Sequence, residues 1–283
     1  MRPQVVTSSD LQLKHGDFVK MLLTFSDAFF DLILIDPPTG ASSKNRTQKD
    51  DYDNLWDNWD EVARAIKQKL APTGSVVVMP GSQQGETKQS VYCDATAAFK
   101  KEGFRQASFT WEKYNAASPY NGHLNHHKHK PLGSSEPLLV FSTQIDTSYK
   151  QNGQTTDKIV ALQHKPTEYH AGIKHLKPLE LYDELYKMFC PAGAAVCDGT
   201  LHTGIAAVAA HKRSLRFVGI EKSREYLDHT KCRLLREKYG RLPSRSTLPN
   251  WKSDSRGRFY LTAGNRKLKK RMRAAMRSTV NAI

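Results

Sequence analysis

Three apolar runs in this chain end on an acid. LILID stops at Asp36, AAVCD at Asp198 and RFVGIE at Glu221. If the runs are parallel strands, their carboxylates stand at the end of the sheet where open α/β folds bind ligands. The first acid is followed by Pro37, Pro38, Thr39 and Gly40. Proline fixes φ and has no amide hydrogen, and it holds the residue before it extended. The Asp-Pro-Pro stretch therefore presents acceptors to the cleft: the Asp36 carboxylate and the proline carbonyls. That suits a ligand amino group with two hydrogens, and an exocyclic base amine fits. After Asp198 a helix opens through Thr203 and Gly204, and Glu221 lies 17 residues beyond that glycine. This is close to the spacing at which a nucleotide-binding βαβ unit places its ribose acid. A carboxylate there accepts hydrogen bonds from both ribose hydroxyls. Taken singly, each feature also fits a plain strand end or a solubilising acid.

The elements that must position these acids are legible as alternating runs. FFDLILID (29–36), Ser75 to Met79, QASFTWEK (106–113), EPLLVFS (136–142), AAVCD (194–198) and LRFVGIE (215–221) read as strands. Between them, WDNWDEVARAIKQKL (56–70) places Trp56, Trp59, Val62, Ile66 and Leu70 at helical spacing. DATAAFKKEGF (94–104), PLELYDELYKMF (178–189), TGIAAVAAHKR (203–213) and SREYLDHTKCRLLREKYG (223–240) also read as helices. Strands alternating with helices predict an α/β fold: a parallel, doubly wound sheet with helices on both faces. The expected organisation is one domain over residues 1–240 and a basic tail over 241–283. Two polar stretches, 115–135 and 143–175, interrupt the domain as loop insertions.

The 283 residues suffice for a substantial core, and the composition is that of a soluble protein, 39% hydrophobic and 25% charged. No apolar run approaches the length of a membrane span, and MRPQVVTSSDLQLKHGD carries no secretory pattern. Cys93, Cys190, Cys197 and Cys232 form no CxxC pair; free thiols in a reducing, intracellular compartment are expected. The net charge is +15, and residues 241–283 hold twelve Lys/Arg against the single acid Asp254. Such a tail favours a polyanion, most commonly nucleic acid, although a charge run is also an ordinary solvated tail. HLNHHKHK (123–130) has no acid or cysteine beside its histidines, so no metal site is expected.

In combination these segments resemble the amino-methyltransferases of DNA that act on adenine N6 or cytosine N4. The order, with the acid–Pro–Pro strand before the cofactor segment, is that of the subgroup called beta. HGDFVKML (15–22) looks like the family's opening segment, and DPPT (36–39) stands at its catalytic DPPY position. TWEKYN (110–115) resembles its WxKxN strand, SSEPLLVFS (134–142) the strand after it, and LKPLEL (176–181) its Lys-Pro stretch. DGTLHTGIAAVAAHKRSLRFVGIEKSREYL (198–227) resembles the unit usually seen as DPFxGSGTT followed by an IGxE strand, without a gap between Asp198 and Tyr226.

The resemblance implies a methyltransferase-type Rossmann-like sheet and the methyl donor S-adenosylmethionine (AdoMet). It implies catalytic roles for Asp36, Pro37, Pro38 and Thr39, the acceptors stabilising the charge that develops on the amine. Cofactor contacts are implied for Lys177, Pro178, Asp198, Thr200, His202, Gly204 and Glu221. The expected partner is DNA, or alternatively RNA, gripped by Lys113, Lys128, Lys130, Arg266, Lys267, Lys269, Lys270 and Arg271. Trp251, Phe259 and Tyr260 are interleaved with basic residues, where they could stack on bases or anchor the tail. A homo- or hetero-oligomer is compatible with all of this. Adenine N6 is the expected target because cytosine enzymes more often carry Ser at position 36. Two departures stand out. Thr39 replaces the aromatic residue that stacks on the flipped base, and His202 stands where the family's middle glycine lets backbone approach the cofactor. They motivate the alternative of a catalytically weak, nucleic-acid-binding subunit.

Overall fold

A computed structural model describes residues 11–37, 58–80, 88–114, 135–144, 158–162, 177–239, 251–253 and 259–261. The strands are β1 (Leu11–His15), β2 (Phe30–Ile35), β3 (Leu70–Val78), β4 (Arg105–Tyr114), β5 (Ser135–Ser142), β6 (Lys158–Leu162), β7 (Ala195–Asp198) and β8 (Arg216–Glu221). The helices are α1 (Phe18–Leu22), α2 (Trp59–Lys69), α3 (Lys88–Lys101), α4 (Leu179–Phe189), α5 (Ile205–Lys212) and α6 (Arg224–Tyr239). A separate antiparallel pair joins β9 (Trp251–Ser253) to β10 (Phe259–Leu261) within the basic tail.

The eight strands form one sheet in the order β1-β8-β7-β2-β3-β5-β4-β6. From β1 through β3 every neighbouring pair is parallel. The expectation of an all-parallel sheet is corrected at β5, which runs antiparallel to both β3 and β4. An antiparallel neighbour needs no crossover helix. β6, parallel to β4, extends that side of the sheet, and β5 lies between β3 and β4.

Alternation along the strands builds two cores. Leu32, Leu34, Val77, Val140, Val196 and Phe217 face one side, under α4, α5 and the Leu227 and Leu234 positions of α6. Ile33, Ile35, Val76, Val78, Cys197 and Ile220 face the other, under α1, α2 and α3. The period-2 pattern of parallel neighbours in register puts like residues on like faces, so helices cover both faces as expected.

Local chemistry fixes the helices that carry functional groups. Pro178 caps α4 at φ −72°, and its locked φ suits the entry to a helix. The Tyr186 hydroxyl of α4 donates to the Ala206 carbonyl of α5 at 3.0 Å. The Arg213 guanidinium just beyond α5 binds Asp183 of α4 at 2.5 Å, holding that carboxyl below its ordinary range, a shift due first to this hydrogen bond. In α2, Asp60 and Glu61 in the first turn and Lys67 and Lys69 in the last complement the helix dipole.

Candidate active site

β2 and β7 are neighbours from which the chain winds in opposite directions: β2 leads on to β3, β7 to β8. This is the switch point at which open sheets leave a crevice beyond the strand ends. Leu34 pairs with Asp198, and Asp198 with Gly219, in the ladder. Asp36 and Glu221 each lie two residues further along their own strands. The three acids thus end three adjacent strands. Neighbouring strands lie about 4.8 Å apart, so Asp36 and Glu221 belong to strands about 10 Å apart with Asp198 between them.

The charges couple. Burial pushes the Asp198 carboxyl up to about 7, opposed by the Thr200 amide and assisted by Asp36 and Glu221. Burial also raises the Asp36 carboxyl, with Lys177 acting against the shift and Glu136 with it. Tyr182 of α4 lies buried close by. Its hydroxyl is raised well above the ordinary value by burial first, then by Asp36 and Asp198.

The loop after β7 is stitched to both flanking strands. The Gly199 amide donates to the Leu34 carbonyl at 2.9 Å and the Leu201 amide to the Ile220 carbonyl at 3.1 Å. The Thr200 amide caps Asp198 at 3.0 Å, and its hydroxyl accepts from the Asp36 amide at 2.6 Å. Glu221 receives the His202 amide on Oε2 at 2.7 Å and the Ser223 amide on Oε1 at 2.6 Å. Each carboxylate oxygen has two lone pairs, so these bonds orient Glu221 and leave acceptor capacity for ligand hydroxyls.

The same loop turns through two left-handed residues, His202 at φ +50° and Gly204 at φ +77°. α6 holds both. The fully buried Thr230 donates to the His202 carbonyl at 3.3 Å, and Arg233 donates to the Thr203 carbonyl at 3.0 Å. The His202 ring packs edge-on against Tyr226 with centroids 4.3 Å apart. The Thr203 hydroxyl is buried and makes no hydrogen bond among the described residues.

Lys177, expected at the cofactor's amino-acid end, pairs with one acid at the end of β2 and one on β5. Its Nζ lies 3.0 Å from Asp36 Oδ1 and 3.5 Å from Glu136 Oε2, with the buried Trp111 ring 5.9 Å away. Burial works against the ammonium charge, yet the two carboxylates leave it above its ordinary value. The Asp36 side chain retains 20% of its exposure, enough for a ligand to reach it.

The structure therefore brings together Asp36, Pro37, Lys177, Pro178, Asp198, Thr200, His202, Gly204 and Glu221. Pro38, Thr39, Lys128, Lys130, Arg266, Lys267, Lys269, Lys270 and Arg271 lie outside the described residues, and Lys113 is described only as a backbone position in β4. Trp251, Phe259 and Tyr260 fall on β9 and β10. Sequence reasoning assigned no role to Glu136, Tyr182 or Thr230. Glu136 had a faint signal, an acid opening an otherwise apolar strand. Tyr182 and Thr230 had none, since each reads as an ordinary helical core position.

A family model described as DNA methylase, N6_N4_Mtase, matches residues 30–232. The chain belongs to this family. The match spans every element that carries the site, from the start of β2 into α6. Among individual proteins, the type II methyltransferase M2.DpnII of Streptococcus pneumoniae is 24% identical over 247 residues, covering 78% of this chain and 88% of that protein. Among solved structures, the cytosine-N4-specific PvuII DNA methyltransferase aligns with a TM-score of 0.66 at 16% identity, covering 98% of this chain and 95% of that one. M1.HpyAVI in its complex with SAM aligns at 0.57 and 17% identity over 79% of this chain and 98% of that one. These likenesses support the methyltransferase fold. The family is that of DNA amino-methyltransferases of the N6-adenine/N4-cytosine type. Among the described residues, no helix is long and apolar enough to cross a membrane, and no cluster of His, Cys, Asp or Glu could hold a metal ion.

Proposed function

We propose that the methylase transfers a methyl group from AdoMet to an exocyclic base amine of DNA, with adenine N6 the favoured target. The observation that carries this reading is the convergence of Asp36, Asp198 and Glu221 on adjacent strand ends at the switch point. The residues present fit the donor. Glu221 is oriented by two amides with lone pairs to spare for ribose hydroxyls. Asp198 offers a buried carboxylate to a cation, and the Thr203 hydroxyl, which makes no hydrogen bond among the described residues, lies in the same loop. When bound, AdoMet supplies an electrophilic methyl on a sulfonium. The chain's own work is positioning. Asp36 and the Pro37 carbonyl accept the two amine hydrogens, which favours a pyramidal nitrogen and stabilises its developing positive charge. The adenine preference rests on the Asp at position 36.

The test is labelled-methyl incorporation from AdoMet into duplex DNA, single-stranded DNA and RNA, followed by identification of the methylated base. Methyladenine in DNA is the expected product. Methylcytosine would overturn the base assignment, incorporation into RNA alone would overturn the substrate, and no incorporation into any of them would favour a binding subunit.

The buried Asp198 makes cofactor affinity dependent on pH. Its folded-state carboxyl is raised to about 7, and AdoMet is cationic, so binding favours the ionised form. Below that value each pH unit should weaken binding by a factor of up to about ten, with proton release on binding. Above it the affinity should level off. Calorimetry between pH 5.5 and 8.5 in buffers of different ionisation enthalpy measures both quantities.

His202 favours a second reading, in which donor affinity is weakened by a side chain where a glycine would serve. A left-handed non-glycine residue costs about 1–2 kcal/mol, and an aromatic contact such as that with Tyr226 returns about 0.5–1.5 kcal/mol. His202→Gly should therefore change the melting temperature little while tightening AdoMet binding severalfold. Weaker binding in that variant would show that the imidazole contributes to the site.

A further inference from the structure

We propose that Glu136 is a positioning residue that keeps Lys177 in place when the target amine engages Asp36. The inference deepens the reading above and rests on it. Asp36 and Glu136 share one cation: Lys177 Nζ lies 3.0 Å from Asp36 Oδ1 and 3.5 Å from Glu136 Oε2. All three are well enclosed, with side-chain exposures of 20% for Asp36, 11% for Glu136 and 7% for Lys177. Trp111, which pairs with Glu136 in the β4–β5 ladder, places its ring 5.9 Å from the same ammonium. Lys177 thus stands between two acids from different strands, on an aromatic floor.

Two carboxylates and one ammonium leave one net negative charge at this corner. A single Asp–Lys pair would be neutral, and the aspartate would be committed to its lysine. An incoming amine would then compete with a buried ammonium for the same oxygens, and displacing the lysine would strand an uncompensated buried charge, which is costly. Glu136 removes that conflict. Lys177 keeps a counterion on the β5 side while the Asp36 oxygens turn to the amine hydrogens. Each group has a separate job: Asp36 touches the substrate, Lys177 orients Asp36, and Glu136 holds Lys177.

The groups facing Asp36 fix the direction of the pH effect. They are Lys177 ahead of α4, Tyr182 on α4, Glu136 on β5 and Asp198 on β7. Tyr182 stays neutral, and Asp198 is common to all variants. Glu136 raises the Asp36 carboxyl and Lys177 lowers it. Removing the Glu136 charge leaves Lys177 wholly to Asp36, so Asp36 should ionise at lower pH and be less available to the amine.

The first test needs no turnover. With nitrogen-15 in the lysine side chains, the Lys177 ammonium is followed by NMR in the wild type, Asp36→Asn, Glu136→Gln and the double variant. Lys177 should stay charged at pH 8 in Asp36→Asn, because Glu136 retains it, and become neutral there only when both acids are gone. Loss of the charge in Asp36→Asn alone would overturn the proposal without any reference to methylation. The second test is kinetic. Glu136→Gln should lower kcat about tenfold, the scale of outer-shell partners, with the KM for AdoMet unchanged and the acidic limb of the kcat profile moved to lower pH. Glu136→Asp should restore part of the rate. A rate loss without movement of the limb would mark a merely structural role. Absence of methyl transfer in the wild type would instead refute the functional reading and leave the NMR result to decide on Glu136.

Discussion

Asp36→Ala abolishes methyl transfer while leaving AdoMet bound: this is the largest effect expected from the site. Removing a preorganised group aimed at developing charge costs about 10²–10³ in rate, and Asp36 is the carboxylate of the acceptor segment. The donor should be little affected. Glu221 keeps the His202 and Ser223 amides that orient it, and neither depends on Asp36. One secondary shift is expected. Asp36 contributes to raising the Asp198 carboxyl, so its loss should move the pH dependence of AdoMet binding toward lower pH. Single-turnover methylation and calorimetry on the same preparation separate the two quantities. Wild-type rates in the variant would remove Asp36 from the chemistry, and lost AdoMet binding would place it in the donor site.

Gly204→Ala should be the most destabilising single methyl addition to the cofactor loop. Gly204 sits at φ +77°, and a Cβ there would lie 2.3 Å from the Thr230 methyl and 2.8 Å from Thr230 Cβ. The left-handed conformation costs a side chain about 1–2 kcal/mol, and overpacking of this kind adds about 1–3 kcal/mol. Rotation of Thr230 is opposed because its single hydroxyl hydrogen is shared between the Tyr226 and His202 carbonyls, at 3.1 and 3.3 Å. The expected loss is therefore about 2–5 kcal/mol by denaturant titration, accompanied by weakened AdoMet binding. Adding Thr230→Ala should recover only part of it, because the close Cβ at position 230 remains. A fully additive double-mutant cycle would show that the two residues do not collide.

The layers of the fold were legible because burial on both faces writes continuous apolar runs into parallel strands. Asp36, Asp198 and Glu221 were legible for the same reason: a carboxylate stands out where it closes such a run. The direction of β5 was not. Its EPLLVFS pattern is the same read either way, and the distinction lies in the connection rather than in the strand. β6 escaped notice because KIVAL is short and set within a polar stretch, and the β9–β10 pair because its three-residue strands fall in a charged tail. α3 begins at Lys88, before the expected 94, because its first turn is polar and offers no periodic apolar signal.

Within the site, the loop geometry at 202 was half legible. The family pattern flagged a glycine position, and the structure gives His202 the left-handed backbone that a glycine would adopt freely. The Lys177–Asp36–Glu136 cluster was not legible at all. Lys177 and Asp36 are 141 residues apart, and only the placement of β5 between β3 and β4 brings Glu136 to the same corner. A lysine before a helix and a glutamate opening a strand carry no sign of one another in the chain.

The β2–β7–β8 strand ends should form a working donor site in spite of His202. Calorimetric titration of the purified wild-type protein with AdoMet at pH 8 tests it most directly. A single site with micromolar affinity, retained in Asp36→Ala, is the predicted result. No binding by the wild type under those conditions would contradict the account.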